Sequence, residues 1–260
     1  MGMEYERPHI GMKLSDAQFL QDSLKRTNNL VRLSLPGNLI DDDLVSILSK
    51  GLMLNKTITQ LDLSHNKIGN SGARKVAKYL LKTSILTHLD LSDNQIEYHG
   101  SRFLAQGIKE NTSLLVFNLK LNRIDKKGGQ KLCTDLLAHK GLVLQKLNLS
   151  SNALERGFVE SLAELIKSNK TLCNIDISCN FIDEENAQVI TMLKEALRGN
   201  GRIIDFDIRN NQLSEDSEDE IKQIITKNKL EAQGIPYSKL AECKFSFFLH
   251  LDEEKMKQNI

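Results

Sequence analysis

Two histidine–aspartate combinations are the side chains best suited to chemistry: His65 near Asp62, and His88 near Asp90. An imidazole steadied by a carboxylate can take a proton from a hydroxyl or thiol and so activate a nucleophile. The aspartates, however, fill a recurring position that Asp176 and Asp207 also occupy. That recurrence favours a polar binding surface over catalysis. Cys133, Cys173, Cys179 and Cys243 are scattered. Cys173 and Cys179 have five residues between them and no second pair, which is not zinc spacing. No glycine-rich phosphate loop and no His-Glu-x-x-His is present. The acidic residues Asp41 to Asp43, Asp125, Glu155, Asp183 to Glu185, Glu215 and Asp216 suit the positive ends of helices better than metal or calcium sites. No catalytic residue, cofactor, metal or small-molecule substrate is therefore expected.

Composition narrows the class further. Of 260 residues, 35 are Lys or Arg and 34 are Asp or Glu, so nothing global points to nucleic acid or an anionic membrane as partner. Aromatic residues make up 5% and Trp is absent, which leaves Leu, Ile, Val and Ala to fill the core. Met1 to Lys13 holds no apolar run of signal-peptide type, and no segment reaches the length of a membrane span. The four cysteines do not read as a secreted disulfide framework, so an intracellular, reduced setting is expected. Asn55 with Thr57, Asn111 with Ser113, Asn148 with Ser150 and Asn169 with Thr171 match the glycosylation sequon. They are expected to arise from repetition and to stay unmodified.

The elements that must position these residues repeat along the chain. Leu30, Leu33, Leu35, Asn38 and Ile40 begin a five-point pattern, and Ile58, Leu61, Leu63, Asn66 and Ile68 follow in the same order. Further copies are centred on Asn94, Asn122, Asn152, Asn180 and Asn211, with separations of 28, 28, 28, 30, 28 and 31 residues. The x-L-x-L-x core alternates with a strand's period of two. Its two inward apolar side chains each contribute roughly 1.5–3 kcal/mol on burial. The Asn ends the strand, and its amide can satisfy backbone groups of the turn along a ladder of stacked repeats. Beyond each Asn the spacing predicts a helix, with apolar faces such as Val76, Ala77, Leu80 and Leu81, or Phe103, Leu104 and Ile108. Gly72, Gly100 and Gly128 each lie six residues after their Asn, where a missing side chain would let helices approach closely.

A period of 28 holds a strand and about three helical turns. Stacked strands sit roughly 4.8 Å apart, whereas packed helices need about 8–10 Å. The stack must bend, with parallel strands on the concave face and helices on the convex one. This pattern resembles the leucine-rich repeat of the ribonuclease-inhibitor-like class and predicts an open α/β solenoid, or horseshoe.

Three regions are expected: a capping segment over 1–29, seven repeats over 30–228, and a C-terminal cap or docking tail over 229–260. Ser15 to Gln18 reads as a capping box that starts a helix through about Arg26, with Phe19, Leu20 and Leu24 on its apolar face. In the tail, Phe245, Phe247, Leu249 and Leu251 alternate like a strand, and Phe245, Phe247 and Phe248 are candidate partner contacts.

Alternation places three columns on the concave face. The first runs Arg32, Gln60, His88, Val116, Lys146, Asn174 and Asp205. The second runs Ser34, Asp62, Asp90, Asn118, Asn148, Asp176 and Asp207. The third runs Pro36, Ser64, Ser92, Lys120, Ser150, Ser178 and Arg209. The fourth repeat departs from this polar rule: Val116 and Leu121 are expected as exposed apolar residues beside Lys120 and Lys146. With His88 and Asp90 they form the candidate partner site. On the convex side, Arg74, Lys75, Lys78, Lys82, Lys126, Lys127 and Lys131 suit either a solvated face or an acidic partner such as a tubulin tail.

The ordered set of Asp41 to Leu44, Leu61 to Gly69 with Gly72 to Arg74, Phe117 to Ile124 with Gly128 to Gln130, Ile203 to Arg209 and Ser214 to Glu218 resembles the family of dynein regulatory complex subunit 5, also called T-complex-associated testis-expressed protein 1. The likeness covers roughly residues 15–228. It implies a non-catalytic scaffold subunit of the nexin–dynein regulatory complex in the axoneme of cilia and flagella, within the cytoskeleton. Such a subunit would help link doublet microtubules and regulate dynein-driven motility through contacts with other subunits and with tubulin or dynein components. Family members often carry a long region before the repeats, whereas about 14 residues precede them here, so that region's contacts are not carried over. Two other functions share this repeat type: activation of the GTPase Ran, which usually comes with a strongly acidic tail, and actin capping of the tropomodulin kind. The mixed ending Asp252 to Ile260 does not match the acidic tail.

Overall fold

In a computed structural model, residues 11–234 are described. Strands and helices alternate along the chain: α1 (Leu14–Arg26), β1 (Arg32–Ser34), α2 (Asp42–Leu52), β2 (Gln60–Asp62), α3 (Asn70–Leu80), β3 (His88–Asp90), α4 (Tyr98–Lys109) and β4 (Val116–Asn118). They continue as α5 (Lys126–Ala138), β5 (Lys146–Asn148), α6 (Arg156–Ser168), β6 (Asn174–Asp176), α7 (Ala187–Gly199), β7 (Asp205–Asp207) and α8 (Glu215–Ala232). The seven strands form one parallel sheet in sequence order, and each helix packs on the next. This is the α/β solenoid that the 28-residue period predicts.

The strands are short because only their central residue must be buried. Leu33, Leu61, Leu89, Phe117, Leu147, Ile175 and Phe206 stand in register and face the helices. Their flanking residues face away from the helical layer and are exposed or half-buried. Unequal repeat lengths are absorbed outside the sheet. The repeat of 30 residues gains Lys140 and Gly141 before β5, and the repeat of 31 gains three residues before α7. Register is thereby kept, as a half-buried strand requires.

Two columns of asparagine hold the turns. On one rim, Asn66 accepts at Oδ1 from the N–H groups of Asn38 (3.0 Å) and Ile40 (2.9 Å). Its amide donates to the carbonyls of Leu35, Leu63 and Ser64. Asn94, Asn122, Asn152 and Asn180 repeat this bridging, and Asn211 joins the last two turns. The residue before each of these six, from His65 to Asn210, has positive φ, and Gly37 does the same before Asn38.

The second column lies at the opposite rim, where helices end. Asn55 accepts from the N–H groups of Thr57 and Ile58 (both 2.9 Å) and donates to the carbonyls of Leu24 and Thr27. Asn111, Asn169, Asn200 and Asn228 occupy the same place, and His139 substitutes by reaching the Asn111 carbonyl (2.7 Å). Three sequons therefore have a structural origin. Asn55, Asn111 and Asn169 are 8%, 3% and 9% exposed, and the Thr57 and Ser113 hydroxyls donate to carbonyls of the preceding repeat.

Several helix starts differ from expectation. α1 begins at Leu14, so Ser15 lies inside it, and Asp16 accepts from the Lys13 N–H (2.9 Å). Phe19 points away from the core at 78% exposed, while Ala17 and Leu24 are buried and Leu20 packs at the edge. Asp41 and Asp125 cap their own helices, but Asp183 and Glu185 precede α7 and pair with Arg156 instead. Leu81, at the end of α3, is 48% exposed rather than part of its apolar face. Helix starts are also capped from the preceding repeat. Asp42 accepts from the N–H groups of Gly69 and Ser71, and Asn70 from those of Glu97 and Gly100. A Cβ on Gly72 or Gly100 would fall 2.6 Å from an Asp42 oxygen or 2.8 Å from an Asn70 oxygen, so these glycines make room for that capping.

Candidate functional site

The concave face is set by strand alternation, so its columns stand in transverse rows. His88, Val116 and Lys146 lie side by side across β3, β4 and β5. Asp90, Asn118 and Asn148 form the next row, followed by Ser92, Lys120 and Ser150. The candidate residues His88, Asp90, Val116, Lys120 and Lys146 thus meet on three neighbouring strands. Leu121 sits at the turn beyond Lys120, with φ 54° and 46% exposure. Phe245, Phe247, Phe248 and Cys243, with the rest of 235–260, lie outside the described residues.

Much of the polar surface is committed to its own backbone. In six successive strands the Asp or Asn of the second column accepts from the N–H two residues on: Asp62 from Ser64, Asp90 from Ser92, Asn118 from Lys120, Asn148 from Ser150, Asp176 from Ser178, and Asp207 from Arg209. This Asx turn steers each strand into its bend. The serine hydroxyls bond back to the same oxygen in four of the six, and Ser64, Ser92 and Ser150 are buried. They are not part of a free surface, contrary to the alternation rule. Three of the remaining oxygens bridge strands: Asp62 accepts from the Ser34 hydroxyl (2.8 Å), Asp90 from the Asn118 amide (2.8 Å), and Asp176 from the Asn148 amide (3.0 Å), whereas that of Asp207 accepts from Arg209.

These bonds tune the carboxylates. Burial raises the Asp62 pKa, but the Ser64 hydroxyl and N–H and the Ser34 hydroxyl outweigh it and hold the group below its ordinary 3.8. Asp207 is held low chiefly by its bonds from Arg209, against the opposing effect of burial. The Cys133 thiol is pushed well up by complete burial, the opposite of an activated nucleophile.

The histidine–aspartate combinations visible in the sequence do not pair. Asp62 and Asp90 are turned to their own serines, and His88 Nδ1 lies 2.8 Å from the Thr87 hydroxyl. His65 instead meets Asp93 of the next repeat at 2.7 Å, with both side chains more than half exposed on the turn rim. A pair so open to water lacks the enclosed partner hydroxyl or thiol that nucleophilic catalysis requires. Among the described residues no cluster of His, Cys, Asp or Glu could hold a metal, and no helix is long and apolar enough to cross a membrane.

What stays free at the centre is basic and apolar. Lys120 and Lys146 are exposed and have no ion pair among the described residues, and Val116 is half-exposed between them and His88. Phe181 (62% exposed) and Leu39 (47%) were not anticipated. Each follows a ladder asparagine and has positive φ, a backbone state that sequence alternation does not register. Phe181 shares the turn rim with Leu121, two repeats further along the stack.

A family profile described as "Leucine Rich repeat" matches residues 54–77, 84–105 and 110–133. The chain is an α/β solenoid of leucine-rich repeats. Over 45 residues, 17% of this chain, it is 47% identical to dynein regulatory complex subunit 5 of Chlamydomonas reinhardtii. The matched segment spans 12% of that relative's length. Among solved structures, leiomodin-1 actin-binding site 2 is similar at 11% identity and a TM-score of 0.39, covering 91% of this chain and 99% of that one.

Proposed function

We propose that this chain is a non-catalytic, protein-binding scaffold of the dynein regulatory complex type, acting in the axoneme of cilia or flagella. The observation that carries the binding mode is Lys120 and Lys146, without an ion pair among the described residues, beside Val116 and Leu121 on a concave face where the Asp and Asn of the second column are bound to their own turns. Support for the setting comes from the 47% identity over 45 residues to the Chlamydomonas subunit. The partner at this patch presents an apolar residue flanked by carboxylates, because exposed apolar groups beside unpaired cations are best covered by that combination. Other subunits of such a complex, and tubulin or dynein components, are the partners this reading names. Holding them is all the function it requires.

Two measurements test it. A tagged chain expressed in ciliated cells is expected along the axoneme; a diffuse cytosolic signal without ciliary enrichment overturns the setting. Complexes recovered with the full chain are expected to lose at least one member when Lys120→Glu and Lys146→Glu are introduced together. Recovery of an unchanged set, with the variant folded, removes the patch.

A further inference from the structure

The convex surface carries a charge asymmetry that the near-neutral composition hides. α3 contains Arg74, Lys75 and Lys78 and no acidic residue, and α4 contains Arg102 and Lys109 and none. α5 adds Lys126, Lys127 and Lys131 against Asp135 alone, which is 5% exposed at its side chain and already bound to Lys131 at 2.6 Å. Lys82 continues the row just beyond α3. The nearby anions sit at the margins: Glu97 and Glu110 at the two ends of α4, and Glu155 at the start of α6, 3.7 Å from Lys126. α8, at the far end of the stack, has the opposite balance, with six acids and three lysines.

Two of these cations are held in place by packing. The guanidinium carbons of Arg74 and Arg102 lie 5.3 and 5.5 Å from the centroid of the half-buried Phe103 ring. One ring thus fixes two forked donors on adjacent repeats, which lowers the ordering cost of binding. The Nε of Arg102 is buried and has no acceptor among the described residues, so the guanidinium meets solvent only through its remaining edge. Arg74, Lys75, Lys78, Lys82, Arg102, Lys109 and Lys127 have no ion pair among them either.

We infer that the convex face of α3 to α5 is a second binding surface, separate from the concave patch, and that it takes an extended peptide rich in Asp and Glu. Arg74 and Lys78 on α3 are one helical turn apart, about 5–6 Å, close to the roughly 6.6 Å spacing of alternate side chains on an extended peptide, and Lys82 follows just past the helix end. The curvature disfavours duplex nucleic acid: a surface that bends away from a rigid cylinder meets few phosphates at once. Carboxylates match the two stacked guanidiniums, which offer bidentate bonds.

The test uses the full chain and a fluorescent peptide of twelve residues that are mostly Glu, followed by anisotropy at low and moderate salt. Binding is expected, weakening as salt rises. The combined Arg74→Gln, Lys78→Gln and Arg102→Gln variant is expected to weaken it about tenfold or more. Lys170→Gln, Lys222→Gln and Lys229→Gln together, which remove the same charge elsewhere, are expected to change it less than twofold. Lys120→Glu with Lys146→Glu leaves it intact, which separates this surface from the concave one. A circular dichroism melt of each variant confirms its fold. Equal loss from the two glutamine sets, no binding at low salt, or duplex DNA displacing the peptide at lower concentration than unlabelled peptide overturns the inference.

Discussion

At the scale of the residue, asparagine is what makes this sequence stack. Asn122 shows why an apolar residue cannot stand there. Its oxygen takes the N–H of Ile96, and its amide serves the carbonyls of Leu91, Leu119 and Lys120, spanning two repeats. Asn122→Ala strands those groups, and the complete burial of Ile96 keeps solvent from replacing the lost acceptor. A loss of about 1–3 kcal/mol is expected for each buried group left unsatisfied, read as a lower urea midpoint. Asp62 gives a pH dependence. Its folded pKa lies below the ordinary 3.8, so its contribution to stability is complete above that value and disappears as pH falls through the lowered one. Asp62→Asn is therefore expected to flatten part of the acid limb of a melting-temperature profile taken from pH 6 to 2.5. An unaltered limb would show that the Ser64 and Ser34 bonds do not favour the charged form.

At the scale of the element, the helices touch where side chains are missing. A Cβ on Gly107 of α4 would lie 2.8 Å from the carbonyl oxygen of Ala77 in α3 and 3.0 Å from its Cα. Both are backbone atoms, so the helices themselves must part. Gly107→Ala is expected to destabilise by about 1–3 kcal/mol despite alanine's better helix propensity, as measured by thermal melting.

Strands, helices and their order were legible in the sequence because buried Leu, Ile and Phe recur with fixed spacing around one Asn per repeat. The second asparagine column is hidden in plain view: Asn55, Asn111 and Asn169 read as sequons and Asn200 and Asn228 carry no motif, since their partners lie 25 to 34 residues away along the chain. The trans caps Asp42 and Asn70 were hidden for the same reason. Asp62 and Asp90 lie near histidine in the sequence yet bond to their own serines, because alternation tells which face a side chain takes and not which partner it seeks. Phe181 escaped because alternation ends where φ turns positive.

At the scale of the whole molecule, every tie among the described residues is to the next repeat. Strand pairing, both asparagine columns and the helix contacts join neighbours in the stack. Repeats in the middle have two neighbours and those at either end have one, so local opening costs least at the ends. Hydrogen exchange is expected to be slowest in α4 and α5 and to quicken toward α1 and α8. Uniform protection from end to end would mean that the stack opens only as a single unit.

Because nothing bridges distant repeats among the described residues, the column of asparagines also decides how the molecule yields to tension. A pull along the stack loads the rungs in series, so the weakest terminal seam gives first and its neighbours keep their shape. The structure is thus built to fail like a zip rather than shatter, and an end that has opened can close again on the intact repeat beside it.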